Sequence, residues 1–366
     1  MPGKRTLLSW MIDTGRLGRA ITRLAWSRRL SGAGYAVLVL NYHRIGPSRE
    51  TPFDRGCFSA TAEQFEQHLR HLRRRCTLIG LDQLDAILDP DGPPPPKRPV
   101  LLTFDDGYAD NYHLAFPLLQ KYDATAVFFP TTDFVDRKTV AWWDEIAWLI
   151  RRLPPGTLEL PAFRLTLSLP GPAWSLSDSG HGAMAPDGSE PRGRAIQQTL
   201  ERYKQLPADE ASQMVLALRE RAEESCPLEW LADLYMTWDQ LREMQNAGMT
   251  IGGHTLSHPV LARLDRDRQR QEIAGCRDRI GEMLGEKPSA FSYPVGRPGT
   301  FDQGTEDLVA EAGFRWAFQF YGDLWRIGRD RSGNRARLSI PRMPVHDRAK
   351  DHEFRTQLAW PRLFNE

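Results

Sequence analysis

Asp105 and Asp106 stand side by side at the end of the apolar run Val100-Leu-Leu-Thr-Phe104, and Gly107 follows them. Two adjacent carboxylates are costly to keep charged together unless a cation sits between them, so the pair points to a metal. The run before them is apolar and too short for a buried helix, which reads as a buried strand. Neighbouring strand residues face opposite sides, so both acids reach one pocket only if the chain bends here, and Gly107 permits a sharp turn. A second stretch, Thr250-Ile-Gly-Gly-His-Thr-Leu-Ser-His-Pro259, sets His254 and His258 four positions apart. On a helical turn that spacing puts both imidazoles on one face, within reach of one ion. Two His with one Asp leave positions open for water, the pattern of a catalytic rather than a structural metal site. A third stretch, Phe291-Ser-Tyr-Pro-Val-Gly296, is an apolar run halted by Pro and Gly, suited to walling a pocket with backbone N–H groups.

In that order, Thr103-Phe-Asp-Asp-Gly107, His254-Thr-Leu-Ser-His258 and, more loosely, Phe291 to Gly296 resemble the leading motifs of the polysaccharide deacetylases of carbohydrate esterase family 4, which share the NodB homology domain. The resemblance runs from about Tyr35 to His346. It implies an α/β fold, a distorted (β/α) barrel of NodB type, and a metal-dependent hydrolase that removes N-acetyl groups from amino sugars of a surface polysaccharide or its lipid-linked precursor. Asp106, His254 and His258 would hold the divalent metal, Zn2+ first, with Co2+, Ni2+ or Fe2+ as alternatives. Asp105, left off the metal, would take a proton from water as general base. The resemblance gives the backbone N–H of Val295 as the donor to the tetrahedral oxyanion. The family also uses a His near the end of the domain to protonate the leaving amine. His346 is the His in a strand-end setting there, with His352 in the tail behind it.

One departure stands out. Many family members carry an Arg in the third motif that braces the base, and this chain has Ser292. The brace would come from Arg44 or Arg342, or be missing. Deacetylases tied to bacterial exopolysaccharide often lack that Arg as well, and a Tyr-His-Arg-Ile element similar to Tyr42–Ile45 occurs among them. His43, at the end of a strand, is expected in the pocket; Tyr293 and Trp143 are expected to contact the sugar. Two other function classes compete: a metal amidohydrolase acting on a small cyclic, ureide-like amide, and a catalytically inactive carbohydrate-binding module. A long insertion and many aromatic residues favour an extended substrate.

These motifs need a scaffold, and the rest of the chain supplies one. Its 366 residues suffice for a large domain. Lys+Arg 48 against Asp+Glu 47 leaves no global field, so nucleic acid is not an implied partner. The four Cys (Cys57, Cys76, Cys226, Cys276) have no CxxC spacing and read as reduced, mostly buried thiols. No apolar stretch reaches the roughly 20 residues of a membrane span.

Residues 1–32 form a basic segment in which Leu7, Trp10, Leu17, Ile21 and Leu24 make one helical stripe. Such an amphipathic helix either lies on an anionic membrane surface or docks on the domain. With no uninterrupted apolar core or cleavage signal, it implies a cytoplasmic protein, with a possible peripheral contact at the inner membrane face. The catalytic domain is expected over 33–348, with an insertion at about 150–230 and a tail over 349–366. Strands are expected at Tyr35–Leu40, Val100–Phe104 and Ala124–Phe129, alternating with helices at 61–75 and 108–122, an order that implies βα repeats and a parallel sheet. Helix 61–75 should carry Phe65, Leu69 and Leu72 inside and His68 on its wetter side. Trp142 begins another helix, and Phe163, Leu165, Leu167 and Leu169 alternate like a hairpin strand. Helices follow at about 195–205 and 208–224. Thr237 should cap one ending at Gly248, and another runs from Arg266 to Leu284.

Overall fold

The computed structural model describes residues 35–89, 91–171, 192–223, 226–227, 230–322, 324–327, 337–346, 353–355 and 358. The segment 1–32, with its expected helix and membrane contact, lies outside the described residues, as do His352 and most of the 349–366 tail. Among the described residues no helix is long and apolar enough to cross a membrane.

Continuous apolar runs dictate the centre of the molecule. Strand β1 (Tyr35–Tyr42) pairs in parallel with β2 (Pro99–Asp106), and β2 with β3 (Val127–Pro130). Next come β4 (Thr250–Ile251), β5 (Ala290–Ser292) and β6 (Trp316–Phe318). The ring closes through single bridges, Gly253 to Phe291 and Phe318 to Ile340, and then through β7 (Met343–Pro344), which lies parallel to β1. This is the expected parallel barrel, and the two single-bridge joints are what distort it.

Strands covered on both faces need apolar residues at every position. Even-numbered Leu38, Leu40, Val100, Leu102 and Phe104 pack with the helix residues Phe65, Leu69 and Leu119 in an outer layer. Odd-numbered Val37, Val39, Leu101, Val127 and Phe129 fill the interior with Phe318 and Ile340. The inward columns end in polar residues: Val37 and Val39 lead to Asn41, and Leu101 leads to Thr103 and Asp105. Period-two alternation therefore delivers Asp105 to the carboxyl end of the barrel, on top of the interior core.

Helix α1 (Ala62–Arg75) begins at the Thr61–Gln64 capping box. Its His68 is buried rather than wet. The ring stacks on Phe354 at 3.6 Å, Nδ1 meets the Tyr42 hydroxyl at 3.3 Å, and burial pushes the imidazole pKa down to about 3. The helix expected over 108–122 is split. A π-helical turn, Asn111–Ala115, precedes the α-helical Phe116–Lys121. Pro117 has no N–H to give, and the Phe116 N–H reaches back five residues to the Asn111 carbonyl.

The insertion forms its own core. Helix α2 (Trp142–Arg152), the antiparallel hairpin Gly156–Leu160/Leu165–Leu169, and helices α3 (Gly193–Gln205) and α4 (Ala208–Ala222) bury Ile146, Leu149, Leu167, Ile196, Leu200 and Met214 together. Buried Arg192 donates to the carbonyls of Ile150, Arg151 and Leu153, which end α2 without helical partners. Beyond it, α5 (Trp238–Asn246) has the expected Thr237–Gln240 box, and α6 (Arg266–Leu284) runs from the Asp265 cap to Gly285 at φ +83°. The four cysteines are free thiols, two of them buried.

Candidate active site

Asp105 and Asp106 could share a pocket only if the strand bent, and the bend is at Asp106, whose φ is +72°. Gly107 follows at φ +83°, and a Cβ there would sit 2.9 Å from the Pro130 Cβ. Gly107→Ala should therefore lower stability by more than about 1 kcal/mol and weaken metal binding, since the added methyl must push β3 away from the acids. Thermal melting and a zinc titration would check this; an unshifted melting curve would refute it.

His254 and His258 do not lie on a helix. They flank a tight loop in which Thr255 (φ +64°) and His258 (φ +60°) are left-handed. Non-Gly residues adopt this region rarely and at a cost, and they concentrate at functional sites. The loop is pinned from three sides. The Thr255 hydroxyl accepts the His258 N–H at 2.9 Å, Glu272 accepts the N–H groups of Leu256 and Ser257 at 2.9 Å each, and the Leu256 carbonyl accepts the Asp133 N–H at 2.8 Å.

The outcome is convergence on one carboxylate oxygen. His254 Nε2 and His258 Nε2 each lie 3.5 Å from Asp106 Oδ1. These three ligand atoms lie within 4.8 Å of one another, and all three residues are buried. His254 Nδ1 meets the Ser292 carbonyl at 2.7 Å, which assigns the proton to Nδ1 and leaves the Nε2 lone pair toward Asp106. Burial, with His254 alongside, pushes His258 down to about 3, so it is a neutral donor near neutrality. Burial raises Asp106, but the imidazoles around it, His254 first, outweigh burial, and the carboxyl ends below its ordinary range. Two imidazoles and one carboxylate, desolvated and converging, fit a divalent cation that takes mixed N/O ligands.

Asp105 is held by different partners. Arg342, fully buried at the end of the barrel, makes a fork to it: Nη1 to Oδ1 at 2.8 Å and Nη2 to Oδ2 at 2.6 Å. Asn41 Nδ2 and Ser292 Oγ add donors to Oδ2 at 3.3 and 3.2 Å. Burial alone would raise this carboxyl, but the Arg342 charge and its hydrogen bonds drive it well below the usual range. Arg342 is thus the brace that the third motif lacks, and Ser292 hydrogen-bonds both to it and to the acid. The other candidate, Arg44, pairs with Asp110 instead.

A cavity of about 570 Å³ opens over these groups. Val295 lines it at φ +62°, a strained value for a β-branched residue, and no backbone acceptor among the described residues takes its N–H. His43 and His346 line it too. His43 is half-buried and His346 is exposed.

Trp143 and Tyr293, expected to touch substrate, both line the cavity but are mostly buried. Trp143 is 5% exposed, gives its indole N–H to the Tyr108 hydroxyl at 2.7 Å and packs on the His258 ring. Tyr293 is 1% exposed and gives its hydroxyl to the Leu338 carbonyl, its ring stacked on Phe301. Half-buried Trp142 is the more accessible aromatic, stacked on Tyr203 at 4.0 Å. Sequence reasoning missed Asn41, whose inward position in β1 was the available signal. It also missed Gln197 and Lys204, which reach the cavity from insertion helix α3 and carry no motif.

The sequence pattern described as polysaccharide deacetylase matches residues 92–153 and 195–317, just over half of the chain and all three motifs. Over 93 residues the chain is 32% identical to YxkH of Bacillus subtilis (25% of this chain, 30% of that protein). Over 58 residues it is 43% identical to the poly-beta-1,6-N-acetyl-D-glucosamine N-deacetylase of Escherichia coli (15% of this chain, 9% of that protein). The matched stretches thus span less than a third of either relative. A solved Streptococcus pyogenes deacetylase, PplD in complex with acetate, superposes with a TM-score of 0.54 at 17% identity, covering 88% of this chain and 98% of that one, which shows a shared fold.

Proposed function

This chain belongs to the polysaccharide deacetylase family, and on that premise we propose that it hydrolyses the N-acetyl group of N-acetylhexosamine units in a surface polysaccharide or its lipid-linked precursor. The observation that carries the reading is the division of labour between adjacent acids, Asp106 turned to two histidines and Asp105 caged by Arg342. Asp106, His254 and His258 would hold the metal, with Zn2+ the best match to this donor set. When bound, such a cation supplies Lewis-acid polarisation of an amide carbonyl and of water.

The chain's own groups do the rest. Asp105 Oδ2 accepts from Arg342, Asn41 and Ser292, whereas Oδ1 accepts from Arg342 alone. A carboxylate offers about two acceptor sites per oxygen, so the one open to a reacting water's proton is on Oδ1. Arg342 keeps that oxygen aimed and lowers its basicity, so the fork sets orientation in exchange for proton affinity. The Val295 N–H is a ready donor to an oxyanion. For the leaving amine we favour His43 over His346, because the His43 ring is half-buried in the cavity wall with both acids, whereas His346 lies exposed at its edge. A cleft open to solvent and walled by Trp142, Phe320 and Tyr321 suits a chain of sugars better than a small cyclic amide.

Acetate release from a β-1,6-linked N-acetylglucosamine oligomer, measured with and without added Zn2+, tests the activity against a cyclic ureide and against binding without turnover. His43→Ala should lower turnover by about 10²- to 10⁴-fold, the usual worth of a proton donor, and His346→Ala by much less. The reverse ranking would return the role to His346.

A further inference from the structure

The backbone around His43 is gripped by side chains that follow the acid pair in sequence. Asp110 Oδ1 accepts the Ile45 N–H at 2.9 Å, and Asp110 Oδ2 accepts the Arg44 Nε at 2.8 Å. Asn111 Nδ2 donates to the His43 carbonyl at 2.6 Å. From the other side, the His43 N–H donates to Ser59 Oγ at 2.9 Å. Both backbone polar groups of His43 are therefore held by side chains outside its own strand. The next residue is fixed as well, because the Arg44 guanidinium lies over the rings of Phe58 and Tyr108, 4.4 and 4.5 Å from their centroids. With the backbone fixed on both sides, the imidazole is left to face the cavity, edge-on to Phe320.

Stability alone does not account for this cluster. Asn111 is fully buried, yet its Oδ1 has no partner among the described residues, and neither has the Arg44 Nη1. Each unpaired buried polar atom costs about 1–3 kcal/mol, so an apolar packing of the same volume would be the more stable solution. The π-helical turn also begins at Asn111. Such turns are uncommon and frequent at functional sites; here the widened turn accompanies the reach of Asn111 across to β1. The chain thus retains unpaired polar atoms and an irregular helix where Asp110 and Asn111 join the acid motif to His43.

We propose that Asp110 and Asn111 are positioning residues that hold the His43 imidazole in register with Asp105 and Asp106 for proton transfer to the leaving amine. They touch neither substrate nor metal, and they act through His43. This rests on the reading of His43 as the proton donor.

A double-mutant cycle tests it in the full-length, zinc-loaded protein. Asn111→Ala removes the donor to the His43 carbonyl; Asp110→Asn is isosteric and keeps an acceptor for Ile45 while removing the charge beside Arg44. Each should lower kcat by about 10- to 100-fold, the scale on which a misplacement of about 1 Å is felt, with KM and zinc affinity within about twofold of wild type. Combined with His43→Ala, neither should lower kcat further than His43→Ala does alone, because the clamp has nothing left to position. Losses that multiply in the double variants, or that track lost zinc or lost folding in Asp110→Asn, would overturn the proposal. The His43 ring resonance separates this outcome from failure of the parent reading. It should be single in wild type and broadened or split in Asn111→Ala even if no acetate is released from any substrate. An unchanged resonance would count against the clamp whatever the activity.

Discussion

Replacing Arg342 with Gln should remove roughly 3–5 kcal/mol of stability and most of the turnover. The guanidinium is fully buried, and its Nε and Nη atoms donate to the Gln319 carbonyl, Asn41, Thr103 and Ser292 besides both oxygens of Asp105. Removing it leaves a buried carboxylate without its counter-charge, which costs far more than the pair adds over an apolar packing.

The pH dependence follows from the direction of the Asp105 shift. In the wild type its folded pKa is depressed, so its stabilisation is present above the ordinary aspartate value and is lost as pH falls through the folded value. In Arg342→Gln, burial acts with less opposition and raises the folded pKa, so ionisation of Asp105 destabilises the variant as pH rises. The stability gap should thus be full near neutrality and shrink on acidification. Chemical denaturation of both proteins with chelator present, from neutral to acid pH, checks this. Arg342→Lys restores charge without the fork, and should recover more stability than turnover. Arg342→Gln with wild-type melting and turnover would refute the assignment.

Single loss of Asp106, His254 or His258 to Ala should abolish zinc binding and acetate release together. The site offers three protein ligands, so removing one leaves two, and the penalty should exceed the about 10- to 100-fold that loss of an outer partner typically costs. Asp105→Asn should behave differently: metal retained, turnover lost, because an amide cannot accept the proton. Chelator-competition titration alongside acetate release separates the two outcomes. Zinc held at wild-type affinity by His258→Ala would sink the ligand set, and metal lost from Asp105→Asn would show the two acids to be exchanged.

Much of the molecule was legible in the residues alone. Local signals set local outcomes: the apolar run before Asp105 specified a strand buried on both faces, Thr237 with Gln240 specified a helix start, and Gly107 marked the bend between the two acids. Alternation along β1 and β2 also carries the signal that puts Asn41, Thr103 and Asp105 on one side, although Asn41 was not singled out from it. Residue types also identified a metal centre, because two His and an Asp carry donor chemistry wherever they meet.

The tertiary structure decided what depends on meeting. The four-residue spacing of His254 and His258 works through left-handed residues in a loop that Glu272 and Asp133 pin away from helical geometry. Arg342 braces Asp105, 237 residues before it in the chain, because ring closure lays β7 beside β1, which no local pattern records. His68 went inside because Phe354 covers it, and Trp143 and Tyr293 present little surface to the cavity they line because their polar atoms found partners in the packing. Spacing determines which side chains a segment presents; only long-range closure determines which of them face one another.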